Sequence, residues 1–248
     1  MGRMETIMKW VEKYKLGAAE TDINNIASAS AVLRYMQDCA NCHMAAARPS
    51  YDELYEKGLA FVLSRITISI YSTLRAHDSF EGETWASPSK GVTFNRCYRL
   101  TKDSSIVAEA VSAWALLNVN EKKLCRVTDV ELGYGEEDML ELDMATRFRI
   151  PSDVQLTLVG ERMVEYADCD INGHMNNTRY PDILCSYIGE MKGRRPSKMS
   201  ISFASEAPLG ESIKIYSGIL DDIYYVRTVR EDGKVNVEAE IYLEDVDN

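Results

Sequence analysis

Between Tyr180 and Met191 the apolar residues Tyr180, Ile183, Leu184, Tyr187, Ile188 and Met191 recur on one face of a 3.6-residue period, which predicts an amphipathic helix with a buried stripe. Pro181 fits only in the first turn of that helix, where the N–H it lacks has no intrahelical partner. A second helical run extends from Ala27 to Ala45. The period then changes. Ile66-Thr67-Ile68-Ser69-Ile70 alternates strictly between apolar and polar side chains, as a strand does when one face is buried. Further strand-like segments follow at 83–86, 91–100 and 106–118, separated by Ser87-Pro88-Ser89-Lys90 and Lys102-Asp103-Ser104, whose residues favour turns. They predict an antiparallel meander, in which Trp114 reads as a core tryptophan or as the wall of a pocket.

The same order occurs twice. Strand-like Ile7 to Leu16 leads through Asp22-Ile23-Asn24 into the first helix, and strand-like 154–166 leads through Asp170-Ile171-Asn172 into the second. After the second helix come strands near 199–205, 212–219, 224–229 and 235–243, with turns at Pro208-Leu209-Gly210, Asp221-Asp222 and Glu231-Asp232-Gly233. From about Asp129 to Asp153 the density of Asp and Glu rises and the segment closes on Ile150-Pro151-Ser152, which reads as a linker. The expected organisation is therefore a repeat over residues 1–128, a linker over 129–153 and a second repeat over 154–248. The copies differ in their chemistry. Where the second has His174 the first has Ile26, and no Asp or Glu falls between Ile66 and Ala76.

With 248 residues, 46% of them hydrophobic, the chain can bury a large core. A formal charge of −11 argues against nucleic acid or an anionic lipid surface as the main partner, since phosphate binding needs a basic footprint. Arg3, Lys9, Glu12, Lys13 and Lys15 interrupt the N-terminal stretch, no later run reaches membrane-spanning length, and a cytoplasmic location is expected. The six cysteines, at 39, 42, 97, 125, 169 and 185, are read as reduced thiols. Cys39-Ala40-Asn41-Cys42-His43 has the spacing of a c-type haem attachment site, but it lies inside a helical run and no export signal accompanies it. Small apolar residues on one helix face are the simpler reading, and a zinc site would need two further ligands. No metal or cofactor is expected.

Asp168-Cys169-Asp170-Ile171-Asn172-Gly173-His174-Met175-Asn176-Asn177 is the densest gathering of carboxylate, amide and imidazole in the chain, and it stands at the mouth of the second helix. Backbone N–H groups near Gly173 and at the helix start could receive a developing oxyanion, which is what acyl transfer requires. The structural alternatives are capping for Asp170 and Asn176 and a turn for Asn172.

These residues resemble the acyl-acyl carrier protein thioesterases of bacteria and plant plastids, built as two tandem hotdog domains. Asp170-Ile171-Asn172-Gly173-His174-Met175-Asn176-Asn177 is similar to the family's Asp-x-Asn-x-His-x-Asn-Asn motif. In the first half, Arg65-Ile66-Thr67-Ile68, Glu83-Thr84-Trp85, Ser87-Pro88-Ser89-Lys90-Gly91 and Ser112-Ala113-Trp114 resemble its strand and turn sequences in the same order. The resemblance implies an α+β tandem double hotdog fold, each repeat a long helix wrapped by an antiparallel sheet, with a degenerate first site and a catalytic second one. It further implies hydrolysis of fatty acyl-acyl carrier protein, with Asp170, Asn172, His174 and Glu206 in the site, the last carried over from its place in Phe203-Ala204-Ser205-Glu206. Ala207 stands where the plant pattern has a cysteine, which favours attack by water over a thiol nucleophile. Glu206 or Asp170 would serve as base. The phosphopantetheine-bearing carrier is acidic, so Lys192, Arg194, Arg195 and Lys198 stand as a docking patch or as a solvated loop, in a monomer or homodimer. Hydrolysis of acyl-coenzyme A, dehydration of a hydroxyacyl thioester and a non-catalytic carrier-binding module are the rival functions.

Overall fold

Ser28 accepts the Ala31 N–H at 3.1 Å and so caps the first helix, α1 (Ala29–Ala46), of the computed structural model, which describes residues 8–246. Ile7, placed by its sequence in the opening strand, lies outside the described residues; the strand itself, β1, spans Lys9–Lys15. Val32, Leu33, Met36 and Ala40 on one face of α1 are buried in the main core. They share it with residues of β2 (Leu59–Ile70), β3 (Ser79–Lys90), β4 (Thr93–Lys102) and β5 (Ser105–Asn118). A one-and-a-half-turn helix, α2 (Tyr51–Glu56), stands between α1 and β2, and the two-residue β6 (Lys123–Leu124) ends the half.

The second half repeats this plan with β7 (Thr157–Met163), α3 (Tyr180–Cys185), β8 (Arg194–Phe203), β9 (Ser212–Leu220), β10 (Ile223–Arg230) and β11 (Val235–Asp245). The strands form one sheet in the order β1-β3-β4-β5-β2-β8-β11-β10-β9-β7, with β6 paired to β5. Read from its far edge, the second half runs β7-β9-β10-β11-β8, matching β1-β3-β4-β5-β2 place for place. β2 and β8 join the halves, with Arg65 opposite Ser202 and Ser69 opposite Lys198. The helices also meet: Ser30 N–H donates to Asp182 Oδ1 at 2.9 Å, and Asp182 N–H to Ser30 Oγ at 3.0 Å. This is the α+β tandem double hotdog arrangement.

The helix after the polar cluster is shorter than its apolar stripe predicts, ending at Cys185 rather than Met191. Gly189 and Gly193, with φ of 115° and 77°, turn the chain back into β8. Ile188 is still buried, but from irregular backbone. The turn expected at Ser87-Pro88-Ser89-Lys90 is the irregular end of β3, and the reversal occurs at Gly91, with φ of 68°.

Residues 129–153 carry no strand of the sheet, yet they cross its outer face strand by strand. Glu137 N–H donates to Ala86 O on β3, and Trp85 Nε1 donates to Asp138 O at 2.8 Å. Leu140 and Leu142 pack on Trp85, Cys97 and Val111 of β3, β4 and β5. Asp143 then pairs with Lys198 of β8 at 2.5 Å. At the far side a Cβ on Gly218 would meet Gln155 O at 2.6 Å, so only glycine lets the chain pass over β9. The segment is a strap against the sheet.

Candidate active site

Two backbone contacts build the site. Met175 N–H donates to Ala207 O at 2.8 Å and Leu209 N–H to Gly173 O at 3.0 Å, stapling the loop before α3 to the segment that leaves β8. His174 and Glu206 are thereby brought together, with 3.2 Å between Nδ1 and Oε2. Both are open to solvent, His174 at 34% and Glu206 at 60% side-chain exposure, so the pair is reachable.

The rest of the loop is held by its own polar groups. Asp170 Oδ1 accepts the Asn172 N–H at 2.8 Å, and Asp170 O accepts the Gly173 N–H at 3.0 Å. Gly173, whose φ of 74° suits glycine, therefore has its amide committed to the turn, which corrects the expectation that it forms the oxyanion hole. The amides of His174 and Asn177 have no hydrogen-bond partner among the described residues. Asn176 is a cap, its Oδ1 accepting from Thr178 N–H and Thr178 Oγ1. Asp168 is buried and anchors the loop through Arg162 at 2.5 Å and the Glu165 N–H at 3.0 Å.

The first copy reproduces this frame with different side chains. Asp22 Oδ1 accepts the Asn24 N–H at 2.8 Å, Asp22 O accepts the Asn25 N–H at 3.0 Å, and Ala27 N–H donates to Leu74 O at 2.8 Å. Ala27 is thus the counterpart of Met175 and Leu74 of Ala207. Ile26 then stands at the place of His174 and Thr73 at the place of Glu206. A cavity of about 20 Å³, room for one water, remains beside Ile26 and Thr73. Asn24 has become a clamp: its Nδ2 donates to Met191 O at 2.9 Å and Arg194 O at 2.8 Å, and its Oδ1 accepts the Gly193 N–H at 2.7 Å. Asn172, its counterpart, is exposed and its side chain makes no hydrogen bond among the described residues.

The basic cluster after the second helix is displaced from this chemistry. The turn that carries Lys192 and Arg194 is the one Asn24 clamps, at the opposite end of β8 from Glu206, about 30 Å away at roughly 3.3 Å per strand residue. Arg195 is 4% exposed, paired with Glu244 and donating to Ile70 O at 3.0 Å, and Lys198 is taken by Asp143. Only Lys192 and Arg194 of the four are left for an incoming partner, and Arg194 also reaches Tyr224 Oη at 3.3 Å.

One residue escaped the reading of the sequence. Asn236 of β11, 1% exposed, accepts at Oδ1 from Tyr180 Oη at 3.0 Å and Thr228 Oγ1 at 2.8 Å, and donates from Nδ2 to Ser205 O at 2.5 Å. Its carbonyl accepts the Ala204 and Ser205 N–H groups. It ties the start of α3, just beyond His174, to the residue before Glu206. The signal was a lone amide in the apolar alternation Val235-Asn236-Val237.

Comparison with known proteins matches residues 8–132 to the acyl-ACP thioesterase N-terminal domain and residues 153–245 to the acyl-ACP thioesterase C-terminal domain. The chain belongs to the acyl-ACP thioesterase family. Oleoyl-acyl carrier protein thioesterase 2 of Arabidopsis thaliana chloroplasts is 26% identical over 199 residues, covering 71% of this chain and 53% of the plant protein. The palmitoyl-acyl carrier protein thioesterase of the same plant is 21% identical over 215 residues, covering 79% and 50%. The chain spans about half the length of these curated relatives. An acyl-ACP thioesterase from Bacteroides thetaiotaomicron has the same fold, with a TM-score of 0.85 at 18% identity over 95% of this chain and 98% of the other. The 12:0-ACP thioesterase of Umbellularia californica superposes with a TM-score of 0.79 at 14% identity, covering 96% and 97%. Among the described residues no helix is long and apolar enough to cross a membrane.

Proposed function

We propose that this member of the family hydrolyses fatty acyl-acyl carrier protein to free fatty acid and carrier, ending fatty acid synthesis. The contact between His174 Nδ1 and Glu206 Oε2 carries the reading. Rather than serving as the base itself, Glu206 at 3.2 Å from Nδ1 orients the His174 ring, whose Nε2 takes a proton from water as it attacks the thioester carbonyl. Glu206 stabilises the imidazolium that results. Asn172, unclamped where Asn24 is clamped, orients the water or the carbonyl, and Asp170 holds the turn that presents it. The free amides of His174 and Asn177 are the oxyanion donors the loop offers. The thiolate leaves readily because its conjugate acid is far stronger than an alcohol, so the scheme needs neither metal nor cofactor.

We also infer that residues 1–128 and 154–248 are the two repeat units, joined by 129–153, and that the first is catalytically silent. With both halves in one chain, a monomer or homodimer suffices. The six cysteines are all free, which suits a reducing cytoplasm. The deciding experiment is turnover across a series of acyl-carrier substrates by wild type, Glu206→Gln and His174→Ala. Each variant should lose roughly two to four orders of magnitude in kcat with little change in melting temperature. Near-full activity in Glu206→Gln would sink the assignment.

A further inference from the structure

Arg65 lies on the outer face of β2, opposite Ser202 of β8 and four residues short of Glu206 along that chain. The strap is fixed by Asp143 on Lys198, which faces Ser69, and the charge of Arg147, four residues further along the strap, reaches Arg65. Burial first, and then the charge of Arg147, hold the Arg65 guanidinium below its ordinary value. Glu238, next along the same row of the sheet, is occupied by Arg227 at 2.6 Å. Neither Arg65 nor Arg147 has a carboxylate partner among the described residues. Two like charges placed together oppose folding, and in a chain of net charge −11 a carboxylate could readily have been supplied.

The arrangement suits an anion brought from outside. Planar guanidiniums bind phosphate oxygens in bidentate fashion, and the Ser202 hydroxyl lies in the same row as a further donor. Ser202 is one residue short of the end of β8, and from it to Glu206 the chain spans at most about 13 Å at roughly 3.3 Å per residue. A pantetheine arm, two amide-linked segments ending in the thiol, is long enough to bridge that span. We propose that Arg65 and Arg147, with Ser202, bind the phosphate of the phosphopantetheine arm on which the acyl thioester is carried. The proposal rests on the reading of the site as one for carrier-linked thioesters.

Its test does not depend on turnover. Calorimetric titration of wild type, Arg65→Gln and Arg147→Gln with 4′-phosphopantetheine and with pantetheine gives a ratio of dissociation constants for each protein. The phosphorylated arm should bind wild type about tenfold tighter, and each variant should bring the ratio close to one. Because Arg147 is exposed on the strap, its variant answers even if Arg65→Gln folds poorly. Equal affinities in wild type, or an undiminished ratio in both variants, overturns the proposal. A parallel kcat/KM comparison identifies the source of the phosphate: losses on acyl-carrier and acyl-coenzyme A alike assign the site to the phosphate they share, and a loss on the carrier substrate alone assigns it to the carrier's phosphodiester. Wild type that turned over small thioesters but no acyl-carrier would refute the proposed function and leave the ratio to decide this site.

Discussion

Asn24 and Asn172 occupy the same place in two copies of one loop, and replacing each by alanine should produce opposite phenotypes. Asn24→Ala removes three side-chain hydrogen bonds, to Met191 O, Arg194 O and the Gly193 N–H, at 2.7–2.9 Å. At about 0.5–1.5 kcal/mol each, and allowing for partial exposure, the loss is about 2–3 kcal/mol. A chain of this size loses roughly 2–4 °C per kcal/mol, so the melting temperature should fall by roughly 5–10 °C. The clamp is far from His174, and the folded fraction should keep most of its kcat. Asn172→Ala breaks no side-chain hydrogen bond and should change stability by less than about 0.5 kcal/mol. Its kcat should nevertheless fall about a hundredfold, the effect of losing one positioned polar group in the transition state. Melting curves beside single-substrate kinetics, at temperatures where both variants are folded, separate the two. An Asn24→Ala protein that melts with wild type, or an Asn172→Ala protein that melts early with kcat intact, would refute the division of roles.

Three further outcomes are expected. Burial and the flanking carboxylates Asp168 and Asp170 push the Cys169 thiol above its ordinary value, so it is protonated near neutral pH and Cys169→Ala should hydrolyse normally; a covalent acyl adduct on Cys169 in a quenched reaction would overturn attack by water. Asn236→Ala should lower kcat more than it raises KM by loosening Glu206 against His174; an unchanged kcat with a lowered melting temperature would make Asn236 structural only. Burial raises the Glu240 carboxyl on the outer face of β11, among Tyr225, Tyr242 and the Lys198–Asp143 pair. A carboxyl raised in the folded state binds its proton more tightly there than when unfolded. Its contribution to stability should therefore be fully present below the ordinary value of 4.5 and be lost as pH rises from there through the folded value. Glu240→Gln should flatten that decline in a pH series of melting curves, and an unchanged slope would refute it.

The duplication could be read from the sequence because Asp22 and Asp170 do the same local work. An aspartate that accepts the N–H two residues on makes a turn from neighbouring residues, and such chemistry repeats visibly when a unit is copied. The difference between the two loops was visible for the same reason, since Ile26 stands where the second copy has His174. What could not be read was the new employment of Asn24, whose partners lie 167 to 170 residues away and depend on how the halves dock. The partners of the basic cluster were hidden on the same ground. Proximity in sequence to α3 placed Lys192 and Arg194 near His174, but α3 ends early and the chain turns toward the Asn24 loop of the first half. Residue 65, by contrast, is distant in sequence from Ser202 and becomes its neighbour only because β2 and β8 pair.

The strap was legible and was obscured by its charge. From Leu140 to Ile150 the chain reads Leu-Glu-Leu-Asp-Met-Ala-Thr-Arg-Phe-Arg-Ile, and burial alternates along it, with Leu142, Met144, Thr146, Phe148 and Ile150 half-buried between exposed neighbours. That is the period of a strand, yet among the described residues this stretch forms no ladder, because it crosses the strands on their face instead of lying along an edge. A period of two signals an extended chain with one side against an apolar surface, and says nothing about whether its backbone is paired. Acidic density alone suggested a linker. The distinction has a structural consequence: β2 and β8 already join the halves, and this segment lies over that joint, touching β3, β4, β5, β8 and β9 in turn, with the charge of Arg147 reaching Arg65. The outer-face row through Arg65 and Ser202 is thus assembled jointly by the first repeat, the second and the strap, and none of the three could present it alone.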